Sequence, residues 1–116
     1  GFDPVLHVGL LTTIRTFCDS VEMCEAYHTF MNQGTSGDLF NICGNSVLQM
    51  SEIVEMLRGL TDVKFDVLQV PERMRPTDVA VLKPSCEPFK KRFSWEPVVE
   101  YKTSLRKLLD YWRARL

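Results

Sequence analysis

The chain contains no apolar run long enough to span a bilayer, no internal repeat and no low-complexity segment. It also has almost no net charge. Fourteen basic residues against fifteen acidic ones give −1, which leaves no electrostatic footprint for nucleic acid or an acidic membrane. Its four cysteines (Cys18, Cys24, Cys43 and Cys86) include no Cys-x-x-Cys pair. His7 and His28 are not spaced as a zinc site requires, so no metal is expected. The thiols read as small hydrophobes in a reducing compartment. The opening Gly1-Phe2-Asp3-Pro4 lacks the basic-then-apolar pattern of a signal peptide, and the expected location is the cytoplasm. What remains is ordinary: 116 residues, 45% hydrophobic and 25% charged, suit one domain over residues 1–116 with a real core.

Strands and helices alternate. Val5–Leu11 is apolar and branched and reads as a strand, with Gly9 marking a bulge or a close backbone approach. Thr12–Phe17 continues extended, with Arg15 its only charge. Asp19 or Ser20 caps a helix from Ser20 to Asn32. Val21, Cys24, His28 and Met31 share one face of it, and Met23, Tyr27 and Phe30 an adjoining one, so the helix is expected to be well covered. Leu39–Cys43 reads as a short buried strand. A helix over Ser51–Leu60 carries Ile53, Val54, Leu57 and Leu60 as its stripe, opened by a Gln49/Glu52 capping pair. Val63–Val70 alternates as a strand should. Val79–Leu82 is a further short strand, and Ser85 opens a helix to Phe93 with Pro88 in its first turn. Tyr101–Leu116 is a helix with Tyr101, Leu105, Leu108, Leu109, Trp112 and Leu116 on one face. The fold class is α/β, or α+β for an isolated piece, with few short strands and about four helices.

Between two of these strands lies Arg73-Met-Arg-Pro-Thr-Asp-Val79. Two arginines two residues apart project to one side of an extended chain. Pro76 drives Arg75 toward an extended shape. A guanidinium suits a phosphate, and the Asp78 carboxylate suits a sugar hydroxyl. A solvated polar loop fits the same residues.

Four stretches in order resemble the C-terminal, substrate-binding part of an extended short-chain dehydrogenase/reductase. The group is the NAD-dependent epimerase/dehydratase family, which includes GDP-mannose 4,6-dehydratase and the UDP-sugar epimerases. Val8-Gly9-Leu10-Leu11 with Arg15-Thr16-Phe17 is similar to the family's Val-Gly-Asn-Leu and Arg-Asp-Phe. Gly37–Ile42 is similar to Gly-Glu-Val-Tyr-Asn-Ile, and Arg73–Val79 to the Arg-Pro-x-Asp-Val segment. Phe93-Ser94-Trp95-Glu96-Pro97 and the last helix are similar to the closing Leu-Gly-Trp-x-Pro and its helix.

The resemblance implies a nucleotide-sugar site in which Arg15 and Arg75 contact the diphosphate and Asp78 accepts from a ribose hydroxyl. Arg73 is expected to be a plain surface side chain. The resemblance also implies what is missing. NAD(P) in this family needs a Gly-x-x-Gly-x-x-Gly turn, and catalysis needs Tyr-x-x-x-Lys; neither is in this chain. No catalytic residue, cofactor-binding residue or metal ligand is therefore assigned. Within the matched stretches, Leu10 replaces a substrate-binding asparagine, Thr16 replaces an aspartate and Asn45 replaces a turn glycine. The implied function is nucleotide-sugar binding without catalysis by this chain alone. The alternatives are a protein-interaction module or one subunit of a split epimerase/dehydratase. A homodimer or a separate Rossmann-type chain is expected to cover the apolar faces.

Overall fold

A computed structural model describes residues 4–116. Gly1, Phe2 and Asp3, which open the stretch read above for a signal peptide, lie outside the described residues. The chain divides into two compact units. Unit 1 comprises Gly1–Arg15 and Leu48–Leu82, and unit 2 comprises Thr16–Val47 and Lys83–Leu116.

Unit 1 is built on parallel strand pairs. β1 (Val5–Val8) runs beside β4 (Asp66–Gln69), with Val5 opposite Asp66 and Val8 opposite Gln69. β2 (Ile14–Phe17) runs beside β5 (Val81–Leu82), with Ile14 opposite Val81 and Arg15 opposite Leu82. β3 (Ser46–Gln49) completes a three-stranded sheet in the order β3-β2-β5. β1 connects to β2 and β4 connects to β5, so the two connections run side by side.

β1, β4 and β5 are shorter than the stretches expected to form them. β1 stops at Val8, because beyond it the chain bends into the 9–13 connection. There the carbonyls of Leu11 and Thr13 accept from the Ser51 and Met50 N–H groups, both at 3.0 Å, and turn to α2 (Met50–Arg58). The capping pair is present: the Gln49 N–H donates to Glu52 Oε2 at 2.6 Å. Ile53, Val54 and Leu60 are buried, and Leu57 is half-buried.

Unit 2 is helical around an aromatic core. α1 (Ser20–Gln33) is capped by Asp19, whose Oδ1 accepts from the Val21 N–H at 2.9 Å. α3 (Glu87–Phe93) and α4 (Tyr101–Arg113) complete it. Phe89 is fully buried and packs on Phe93 at 4.7 Å and Trp95 at 5.6 Å between ring centroids. Phe30 and Phe40 join the same cluster edge-on. Such pairs add roughly 0.5–1.5 kcal/mol each beyond burial.

Three expectations are corrected in unit 2. Leu39–Cys43 is not a strand, and Leu39 is 93% exposed. Its run is consumed by single insertions into the core, at Phe40, Ile42 and Cys43, rather than by a ladder. α1 is covered on one side only: Glu22 and Ala26 are buried and Met23 and Phe30 of the adjoining face are half-buried, with Phe30 on the core, while Val21, Cys24, Tyr27, His28 and Met31 are exposed. Glu22 tolerates burial because Oε1 accepts from the Val98 and Val99 N–H groups at 2.6 and 2.9 Å. On α4 the buried contact follows Tyr101, Leu105 and Leu109, whereas Leu108, Trp112 and Leu116 are exposed.

Candidate functional site

The side-by-side connections of unit 1 enclose a cavity of about 280 Å³ lined by Gly9, Leu10, Thr13, Arg15, Met50, Arg73, Arg75 and Asp78. It lies where the chain leaves the carboxyl ends of β1 and β4, the end at which parallel sheets commonly hold ligands. Gly9 is a close-approach glycine: a Cβ there would overlap the Arg73 carbonyl oxygen. The absence of a side chain lets the two connections close on each other.

The Arg73–Asp78 segment is not one extended strand. Pro71–Arg73 forms a 3-10 turn, and the Asp78 N–H returns to the Arg75 carbonyl at 3.3 Å. Met74 between the arginines is extended, at φ −89° and ψ 135°, so both guanidinium-bearing residues still line the cavity. Arg73 is exposed, as expected of a surface side chain, yet it belongs to the cavity wall. The signal for it was Gly9, whose partner in the close approach is Arg73.

Arg15 and Asp78 meet directly. Arg15 Nη2 donates to Asp78 Oδ1 at 2.6 Å, and Nη1 donates to the Ile14 carbonyl at 2.8 Å. The two side chains are 23% and 28% exposed, so the pair is worth no more than about 1 kcal/mol. Its main effect is to hold the guanidinium in place. Asp78 Oδ2 remains open. Arg73 and Arg75 form no ion pair with any described residue. The wall therefore carries three arginines against one aspartate, an excess of two positive charges. Such a wall attracts a dianion, and guanidinium forks match phosphate oxygens.

The departures from the family pattern have definite places. Leu10 gives the cavity wall an apolar side chain. Thr16 Oγ1 is buried without a partner among the described residues. Asn45 Nδ2 donates to the Pro97 carbonyl at 2.8 Å, a bond that glycine could not make.

The dinucleotide cofactor implied by the family does not fit these residues. β1 leads through Gly9 into β2, and no glycine-rich turn opens a helix after it. Among the described residues no group of three or more His, Cys, Asp or Glu side chains could hold a metal ion, and no helix is long and apolar enough to cross a membrane.

No protein-family model matches the chain. It is 28% identical over 111 residues to GDP-6-deoxy-D-mannose reductase of Pseudomonas aeruginosa, a match covering 96% of this chain and 36% of that protein. The solved structure of RMD from Pseudomonas aeruginosa complexed with NADPH superposes with a TM-score of 0.86 at 26% identity, over 97% of this chain and 37% of that one. A UDP-glucuronic acid 4-epimerase from Bacillus cereus, in complex with UDP-glucuronic acid and NAD, shares the fold with a TM-score of 0.85 at 16% identity, over 96% and 36%. The chain thus spans a little over a third of the length of these relatives. The order of its motifs, its fold and these likenesses agree: the chain is similar in sequence and fold to the C-terminal part of extended short-chain dehydrogenase/reductases of the epimerase and dehydratase type.

Proposed function

We propose that unit 1 binds the diphosphate of a nucleotide-sugar, with Arg15 and Arg75 on the phosphates and Asp78 accepting from a ribose hydroxyl through Oδ2. The observation that carries this reading is one cavity wall that holds Arg15, fixed in place by Asp78, together with Arg75, which has no ion-pair partner among the described residues. Relatives named for, or solved with, nucleoside-diphosphate sugars support it. Chemistry is not placed in this chain, because Gly-x-x-Gly-x-x-Gly and Tyr-x-x-x-Lys are absent from its sequence. Any hydride transfer belongs to other sequence, either in a longer protein or in a separate Rossmann-type chain. We also propose that the chain works as a homodimer or beside such a chain, in the reducing cytoplasm. Four free thiols and the exposed apolar face of α1 support those two points.

Calorimetric titration of the 116-residue chain with GDP, UDP and dTDP and their sugars tests the site. At least one nucleoside diphosphate is expected to bind, and Arg75→Ala is expected to weaken it about tenfold, the loss of one charge-assisted bond. No heat with any of them, or unchanged binding by Arg75→Ala, removes the proposal.

A further inference from the structure

One polar side chain of the unit 1 cavity has no partner within the chain. Thr13 is only 6% exposed, yet it lines the cavity together with Arg15, two residues further on. Its hydroxyl forms no hydrogen bond with any described residue. Nor is that hydroxyl sealed off, as Thr16 Oγ1 and Glu22 Oε2 are. It keeps access to the cavity that its residue lines. A hydroxyl at a buried position without a partner is unusual, because burial removes the bonds it makes to water.

The surroundings define what the hydroxyl lacks. The backbone about Thr13 is already engaged: its carbonyl accepts from the Met50 N–H at 3.0 Å, and the Ile14 N–H donates to the Ala80 carbonyl at 2.9 Å. These bonds hold residue 13 between two neighbouring segments, so its side chain is placed before any ligand arrives. Gly9, Leu10 and Met50 offer no strong side-chain acceptor, and Arg15, Arg73 and Arg75 are donors only. The one carboxylate of the wall, Asp78, takes Arg15. The hydroxyl hydrogen therefore needs an acceptor from outside the wall. The same guanidiniums that leave it unpaired attract phosphate oxygens, which are acceptors. Arg15 has one N–H on Asp78 and one on the Ile14 carbonyl, so fewer of its five donors are left for an anion. A hydroxyl two residues away supplies another.

We infer that the Thr13 hydroxyl is a further binding group of this cavity and donates to a diphosphate oxygen held by Arg15 and Arg75. The inference rests on the diphosphate reading above and adds a residue to it. An unpaired hydroxyl lowers the stability of the empty chain, and its bond is made only when the anion is bound. Removing it moves stability and binding in opposite directions, which a residue that merely packs does not do.

Titration of the full chain with GDP, UDP, dTDP and inorganic pyrophosphate, as the parent and as Thr13→Val and Thr13→Ser, tests it. Thr13→Val keeps the shape of the side chain without the hydroxyl. It is expected to weaken the nucleotide and pyrophosphate alike by about five- to tenfold, while the melting temperature of the free chain stays level or rises. Thr13→Ser keeps the hydroxyl and is expected to bind within about twofold of the parent. A parent that binds none of the four ligands overturns the diphosphate reading and this inference with it. A parent that binds, with Thr13→Val binding equally well, overturns the role of Thr13 alone. Pyrophosphate that does not bind the parent, or that binds Thr13→Val as tightly as the parent, takes the hydroxyl off the phosphate and overturns the inference while the nucleotide reading stands. Weaker binding by both variants together with a lower melting temperature makes the effect one of packing, and overturns it too.

Discussion

Unit 2 and unit 1 spend their side chains differently. Unit 2 gathers Phe30, Phe40, Phe89, Phe93 and Trp95 into one aromatic cluster and gives its buried carboxylates hydrogen-bond donors: Asp19 takes Val21 and Ser104, and Glu22 takes Val98 and Val99 through Oε1, with Oε2 left without a partner among the described residues. Among the described residues unit 1 buries Thr13, Ile53, Val54 and Leu60 and leaves a mostly exposed connection from Pro71 to Leu82 that carries Arg73 and Arg75. The lesson is a division of labour. Where packing is dense, carboxylates take backbone and hydroxyl donors; on the thinly packed connection, Arg73 and Arg75 stay without an ion-pair partner among the described residues and are available. Binding residues held on loops by a modest scaffold are common, because a buried guanidinium would need a partner of its own.

The sharpest way to break this contrast is to empty the aromatic core. Phe89→Ala is expected to cost about 3–5 kcal/mol, read as a loss of the urea midpoint. A loss under about 1 kcal/mol would deny unit 2 its role as the stable part.

Next in size is Gly9→Ala. Its methyl group must displace the Arg73 backbone, so about 1–3 kcal/mol of stability is expected to go, together with nucleotide binding. Normal binding by this variant would mean that the two connections of unit 1 need not approach to form the cavity.

Asp19 offers a pH test of how well unit 2 satisfies its charges. The Ser104 hydroxyl at 2.5 Å, the Val21 N–H and the distant Lys107 hold its carboxyl below the ordinary value of 3.8, against the opposing effect of burial. A lowered folded value means that its stabilisation is complete above the unfolded value and fades as pH falls through the folded one. Asp19→Asn is therefore expected to be destabilised by about 1 kcal/mol at pH 7, with the gap to the parent closing below about pH 4 in urea melts. A gap that stays constant from pH 7 to pH 2 would show that the carboxylate's charge is immaterial.

The smallest effect expected is a gain. Ser94, at the end of α3, has a left-handed backbone with φ 50°. The family motif has glycine at this position. Ser94→Gly relieves the crowding of Cβ and is expected to stabilise by roughly 0.5–1 kcal/mol, visible as a rise of a few degrees in thermal melting. A fall in melting temperature would mean that the serine side chain contributes more than the strain it carries.

The sequence made some of this legible and hid the rest for physical reasons. The capping residues Asp19 and Gln49/Glu52, the stripe of α2 and the close approach at Gly9 are local signals, and each has its structural counterpart. The inward face of α1 was hidden because periodicity counts Glu22 as polar, whereas two backbone N–H groups seventy-six and seventy-seven residues away make it a core residue. Leu39–Cys43 misled because an apolar run has the same composition whether it joins a ladder or sends single side chains into a core. Arg15, Arg75 and Asp78 were legible as candidate residues through the resemblance. The direct bond between Arg15 and Asp78 was not, since sixty-three residues separate them. Arg73 was judged from its neighbours alone, and its place depends on the crossing with Gly9.

The central claim is that Arg15 and Arg75 of unit 1 form the anion site while the packed unit 2 does not take part. Amide chemical-shift mapping on addition of GDP tests it most directly. The account predicts shifts confined to Gly9–Arg15 and Arg73–Val79, abolished by Arg75→Ala. Shifts concentrated in the α1, α3 and α4 helices of unit 2, or an unchanged spectrum at millimolar GDP, would contradict it.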